Sequence, residues 1–193
     1  PTLRRQRQMC IRDRKIPEQP GSFLKLAKIF GKLSVTEFNY RKSDNDDAYV
    51  LVGIRTSSEE SYKKLKMKLR KYKYKFSDYT NNEISNDHLR HMVGGRGNSA
   101  MKSKNIERLF NGEFPEKPGA LLDFLKKFGT KWNISLFHYR NIGSAYGNIL
   151  IGIEDPNTNK KLLIKHLEKC DTPFTEESNL SLIHISEPTR QIR

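Results

Sequence analysis

Cysteine is nearly absent from the 193-residue chain: Cys10 and Cys170 are too few for a disulfide framework or a cysteine-rich zinc site. No stretch of eighteen apolar residues occurs, which excludes a membrane-spanning helix. No Gly-rich phosphate loop joins a strand to a helix; Gly94-Gly95-Arg96-Gly97 follows a predicted helix and reads as a loop. His88 and His91 stand three apart on that helix without a Cys or acidic partner in a ligand motif. They read as exposed histidines, and no metal site is expected. Acidic residues are the minority, 22 against 36 Lys and Arg, for a formal charge of +14. Such a balance raises nucleic acid or an anionic membrane as a partner. The densest basic run, Lys63 to Lys75, alternates with Leu65, Met67, Leu69 and Tyr72, as the solvated face of a helix does. The aromatic, Gly-containing signature of RNA-recognition sheets is missing from Tyr49-Val50-Leu51-Val52-Gly53-Ile54. Neither a nucleic-acid nor a membrane partner is expected.

Part of the positive charge sits in two ends that resemble translated sequencing adapter. The chain begins with Pro1 in place of Met, which predicts a piece of a longer protein. Met9 to Asp13 can be encoded by ATG TGT ATA AGA GAC, and the opposite strand, read in another frame, yields Leu-Ser-Leu-Ile-His-Ile. That string stands at Leu180 to Ile185, and Ser186-Glu187-Pro188-Thr189-Arg190 continues the same element. Residues 1–14 and 180–193 are therefore expected to be artefactual and removable without loss. Without them the remainder, 15–179, carries 29 basic and 20 acidic residues. A native first strand would precede Ile16, so Met9 to Arg14 can fall into its place.

Internal repetition is the strongest signal present. Pro17-Glu18-Gln19-Pro20-Gly21-Ser22-Phe23-Leu24 returns 98 residues later as Pro115-Glu116-Lys117-Pro118-Gly119-Ala120-Leu121-Leu122. Phe38-Asn39-Tyr40-Arg41 returns as Phe137-His138-Tyr139-Arg140, and Gly53-Ile54 as Gly152-Ile153. Each copy reads strand, helix, strand, strand, helix, strand. The Pro-Gly turn ends the first strand, because proline fixes φ and glycine permits positive φ. A stripe at Phe23, Ala27, Phe30 and at Leu121, Leu125, Phe128 predicts the first helix, closed by a left-handed cap at Gly31 and Gly129. Strands are predicted at 34–41 and 133–140, at 48–54 and 147–153, and at 75–79 and 172–176. The second helix carries Tyr62, Leu65, Leu69, Tyr72 in copy one and Leu163, Leu167, Cys170 in copy two. The predicted class is α+β: two tandem ferredoxin-like βαββαβ units, at 15–80 and 106–179. Between them, 81–105 is predicted to hold a helix from Asn82 to Met92 and a polar linker from Arg96 to Lys104.

Candidate ligand-binding groups gather at the turns. N–H groups around Gly21-Ser22 and Gly119-Ala120, at helix starts, suit a carboxylate. Phe23 and Leu121 can offer apolar contact, and Tyr40 and Tyr139 can close a pocket from the second strand. Arg41 and Arg140 can add charge or pair with the neighbouring unit. Strand aromatics are as readily core, and both readings are open for the tyrosines. His138 is either a half-buried strand residue or a donor lining a site. Trp132 reads as a core or interface anchor.

Five segments together resemble one family: Ile16 to Lys25, Val35 to Arg41, His91 to Arg96, Phe114 to Leu122 and Trp132 to Arg140. It is the C-terminal regulatory region of biosynthetic threonine dehydratase (threonine ammonia-lyase), and the resemblance covers about residues 15 to 179. It implies two ACT-like units that follow a pyridoxal-phosphate catalytic domain in a cytoplasmic or, in plants and algae, plastid enzyme. That enzyme deaminates threonine to 2-oxobutanoate on the way to isoleucine, with isoleucine inhibiting and valine counteracting, and its relatives are tetramers. The catalytic domain and its Schiff-base lysine are missing here, so the resemblance implies a sensor with no catalytic residue and no cofactor of its own. The effector-binding residues it favours are Gly21, Phe23, Tyr40, Arg41, Gly119, Leu121, Tyr139 and Arg140. The alternative is an ACT-like amino-acid-binding module serving another protein.

Overall fold

A computed structural model describes residues 5–13, 20–41, 48–80, 106–141, 145–155, 159–170 and 172–177. The helix expected from Asn82 to Met92, with His88 and His91, and the linker from Arg96 to Lys104 lie outside them.

Unit one runs β1 (Arg5–Asp13), α1 (Ser22–Phe30), β2 (Ser34–Arg41), β3 (Ala48–Thr56), α2 (Glu59–Lys71) and β4 (Lys75–Asp78). Unit two runs β5 (Ile106–Pro115), α3 (Ala120–Phe128), β6 (Asn133–Arg140), β7 (Tyr146–Asp155), α4 (Lys160–Leu167), a 3-10 turn (Glu168–Cys170) and β8 (Phe174–Glu176). The repeat is thus a repeat in space, and each unit has the βαββαβ order. All eight described strands join one antiparallel sheet in the order β4-β1-β3-β2-β6-β7-β5-β8. The units meet edge to edge where β2 pairs with β6.

That seam has its own symmetry. Phe38 lies opposite Tyr139, Asn39 opposite His138, and Tyr40 opposite Phe137. Copies are related by 99 residues here, so exchanging the units carries each of these pairs onto another and leaves Asn39 and His138 facing each other. An approximate twofold axis runs between them. Above the seam α1 packs against α3, and within unit one against α2. Buried side chains of both units form one continuous apolar cluster, with Leu26, Val50, Val52, Ile54, Ile151 and Ile153 at its fully buried heart.

Local chemistry explains the elements. The expected stripes of α1 and α3 are buried. Ser58 caps α2 by accepting from the Ser61 N–H at 3.1 Å, and Asn159 caps α4 by accepting from the Leu162 N–H at 3.1 Å. Leu163, Leu167 and Cys170 are buried as expected, although Cys170 sits in the 3-10 turn. Tyr72 departs from its expected stripe: α2 ends at Lys71, so Tyr72 leaves the helix and is exposed. The lysines of α2 face solvent, Lys64 paired to Glu60 at 2.7 Å, except Lys66, which is half-buried over the Tyr62 ring and pairs with Asp78 at 3.7 Å. Gly31 and Gly129 do adopt positive φ, but with ψ of -124° and -145°. The chain therefore turns sharply into β2 and β6 in place of a left-handed cap, in a region open essentially to glycine.

Both second strands carry a register shift at the same place, between Val35 and Glu37 and between Ile134 and Leu136. Thr36 and Ser135 are the extra residues of these bulges. Opposite them stand Gly53 and Gly152. A Cβ at Gly152 would lie 2.8 Å from Leu136 Cβ and 2.9 Å from Glu107 Oε1. Gly152→Ala is therefore expected to destabilise the chain by about 1–3 kcal/mol, as overpacking does. A denaturant midpoint that does not move would show that the bulge yields.

Candidate functional site

The two Pro-Gly turns occupy equivalent places, each at the start of the first helix of its unit and against the other unit. Gly21 and Gly119 have φ of 88° and 82° and precede Ser22 and Ala120, the first residues of α1 and α3. Only glycine holds that conformation easily. A Cβ on Gly21 would come within 2.6 Å of Thr130 Cγ2, just after α3. On the other side, the Gly119 N–H donates to the Leu33 carbonyl, just after α1, at 3.4 Å. Each turn thus closes against the segment that leaves the partner unit's first helix.

The turn of unit two is the more fully described. Glu116 N–H donates to Ala145 O at 2.8 Å, and Ala120 N–H donates to Lys117 O at 3.1 Å. The expectation of available N–H groups at Gly119-Ala120 is corrected here, because the chain's own carbonyls already accept from both. Asn141 N–H donates to Thr36 O at 2.9 Å, a second main-chain bond across the seam. Arg55, at the end of β3, adds an ion pair to this junction. Its Nη1 donates to Glu116 Oε1 at 2.9 Å, and the two side chains are 34% and 14% exposed.

The tyrosines lie in the core. Tyr40 packs against Phe23 with ring centroids 4.4 Å apart, and Phe23 also meets Phe38 at 5.9 Å. Tyr139 packs against Phe114 at 5.4 Å, and its hydroxyl is pushed up to about 12 by burial, then by the nearby Glu116 carboxylate, against a lowering influence of Arg55. The phenol is neutral near pH 7 and can offer a proton to an acceptor at the junction. Leu121 is buried on α3, Arg140 is exposed opposite Glu37, and Arg41 stands opposite Leu136. His138 is exposed on the seam and not half-buried. Trp132 is buried against His166, with ring centroids 4.6 Å apart.

Arg55 and Glu116 were not among the residues read from the sequence as binding groups. Glu116 had a signal, since its position repeats as Glu18 in both copies of the turn. Arg55 had none, because its partner is 61 residues away and meets it only through the seam.

A cleft of about 390 Å³ opens elsewhere, between β5, α4 and β8, over Phe110, Ile164, Leu167 and Phe174. Glu176 on its rim accepts from Arg108 Nη1 at 3.0 Å and pairs with Lys160. Among the described residues there is no group of three or more His, Cys, Asp or Glu placed to hold a metal ion. Among them, too, no helix is long and apolar enough to cross a membrane.

The family model for the C-terminal regulatory domain of threonine dehydratase matches residues 7–89 and 98–184, the two units in turn. The chain belongs to this family. The regulatory domain is 46% identical over 155 residues to the biosynthetic L-threonine dehydratase IlvA of Pasteurella multocida, which covers 80% of this chain and 29% of that protein. It is 47% identical over 140 residues to the Escherichia coli enzyme of that name, covering 72% and 26%. The chloroplastic biosynthetic threonine dehydratase of Arabidopsis thaliana is 39% identical over 143 residues, covering 73% and 23%. The regulatory domain thus spans less than a third of the length of these relatives. Among solved structures, aspartate kinase from Synechocystis aligns over 90% of this chain and 43% of its own at 8% identity. Its TM-score of 0.27 is too low to argue from.

Proposed function

We propose that this domain senses branched-chain amino acids on behalf of a threonine dehydratase, binding isoleucine and valine where the Pro-Gly turns meet the seam. One site would use Gly21, Phe23, Tyr40 and Arg41, and its counterpart Gly119, Leu121, Tyr139 and Arg140. The observation that carries the reading is reciprocity: each turn closes on the opposite unit, so a ligand held there touches both. Such a ligand favours one arrangement of the units over another, and a coupling of roughly 1–3 kcal/mol suffices for regulation. In the parent enzyme, a homotetramer of the cytoplasm or plastid, a separate domain with pyridoxal phosphate would convert threonine to 2-oxobutanoate and ammonia. The cofactor supplies the electron sink for that chemistry. No residue of the present chain is assigned to it, so no 2-oxobutanoate is expected from threonine and added pyridoxal phosphate.

Calorimetry with isoleucine, valine and leucine tests the proposal. Alanine at either tyrosine would remove a core ring, so the informative change is Tyr→Phe. Tyr139→Phe or Tyr40→Phe is expected to weaken isoleucine about tenfold, ~1.4 kcal/mol, while the melting curve stays in place. An Ile164→Gln change in the α4 cleft should leave affinity unaltered. The opposite pattern, loss in the cleft variant alone, would move the site to that cleft.

A further inference from the structure

The two junctions differ in charge. Ninety-nine residues beyond Arg55, the equivalent position is Glu154, whose Oε2 accepts from Asn133 Nδ2 at 3.1 Å. The equivalent of Glu116 is Glu18, which lies outside the described residues. One junction therefore offers an arginine with a glutamate; the other combines two carboxylates in sequence. We propose that Arg55 and Glu116 are the head-group receptor of the unit-two junction, and that an α-amino acid binds by coming between them, its carboxylate on the Arg55 guanidinium and its ammonium on the Glu116 carboxylate. This rests on the effector reading above and names the atoms and the junction that reading leaves open.

Three observations support it. First, the pair presents one cation and one anion in contact at 2.9 Å, the complement of a zwitterion whose charges are one carbon apart. Second, the pair is held by different units, Arg55 on β3 and Glu116 beyond β5, so a ligand replacing their direct contact acts on the relation between the units. Third, the pair can be reached from solvent through Arg55, which is 34% exposed, and a ligand that takes over both bonds leaves neither charge unpaired. Exchanging it for two charge-assisted bonds to a ligand is accordingly a small step. A guanidinium suits a carboxylate in particular, through two parallel N–H bonds. The buried Tyr139 hydroxyl beside both groups adds a donor, and Leu33, half-buried at the same junction, adds apolar surface.

Head-group analogues make the assignment testable on the full chain. Isoleucine, 3-methylpentanoate (no ammonium) and isoleucinol (no carboxylate) are titrated into the parent, R55Q, E116Q and the charge-swapped R55E/E116R. Isoleucine should bind at least tenfold more weakly to R55Q and to E116Q, whereas E154Q should leave this site unchanged. R55Q should also lose the preference for isoleucine over isoleucinol, and E116Q the preference for isoleucine over 3-methylpentanoate. The swap keeps the inter-unit pair and should retain the melting temperature while still weakening isoleucine. Weakened binding with both preferences intact would make the pair structural and overturn the assignment. Binding that ignores both single variants would overturn it too, leaving the effector reading standing. Absence of isoleucine binding to the parent chain would instead overturn the effector reading, and this assignment with it.

Discussion

Deleting residues 1–13 should unfold unit one while leaving β5–β8 folded. β1 is an interior strand: it pairs with β3 over nine positions, Arg5↔Thr56 to Asp13↔Ala48, and with β4 over four, Met9↔Asp78 to Arg12↔Lys75. Without it, β4 has no neighbour in the sheet and β3 loses one whole edge. Each buried N–H or C=O left unsatisfied costs roughly 1–3 kcal/mol. A few of them match the whole stability of an ordinary domain, about 5–15 kcal/mol. Amide exchange should show protection lost from β3, α2 and β4 and kept in β7. The adapter-like composition of 1–14 leads to the opposite expectation, a truncated protein that melts unchanged. The melt decides between them.

Phe137→Ala carries the second large effect. Phe137 is 1% exposed, sits on β6 at the seam, and meets Phe38 of unit one at 5.4 Å and Phe124 of α3 at 6.1 Å. Truncating such a ring removes apolar burial and leaves a cavity between two units, at about 3–5 kcal/mol. Denaturant unfolding should register the loss in full. A double-mutant cycle with Phe38→Ala should give a coupling of about 0.5–1.5 kcal/mol, as for an edge-on aromatic pair. A single-mutant loss under about 1 kcal/mol would mean that the seam repacks around the gap.

Much of this architecture was legible because the chain states it twice. The second strands fall at 34–41 and 133–140 in both sequence and structure, since alternation and aromatics mark them locally. The helices of the repeat were legible from stripes that, Tyr72 apart, turn out to be buried. The seam was not, because edge-to-edge pairing of β2 with β6 depends on which exposed edges find each other and leaves no local pattern. Arg55 became visible only with it. The tyrosines show a different limit: alternation places Tyr40 and Tyr139 on a face, but a core face and a ligand-lined face have the same period. The first strand shows a third. Gln8 lies opposite Gly53 and Leu109 opposite Gly152, 101 residues apart, whereas Pro17 and Pro115 are 98 apart. β1 is thus three residues out of step with β5. The place expected for this strand, Met9 to Arg14, overlaps the observed Arg5–Asp13, but its bounds were not legible, because main-chain hydrogen bonding accepts almost any side chain.

The seam joins two halves that a single polypeptide holds together. A tether of this kind gives its ends an effective concentration on the order of millimolar, so the contact between β2 and β6 need not be strong to stay shut. Two separate chains meeting in this way would need the larger area of a standing dimer. They would also be identical, and in a twofold homodimer any substitution appears on both sides of the axis at once. Covalent fusion lifts that constraint. Arg55 and Glu154 occupy the same station in the two halves with opposite charge, a divergence that no symmetric assembly of one repeat could hold. Duplication within one chain lets the two junctions drift apart in charge while the sheet between them stays whole.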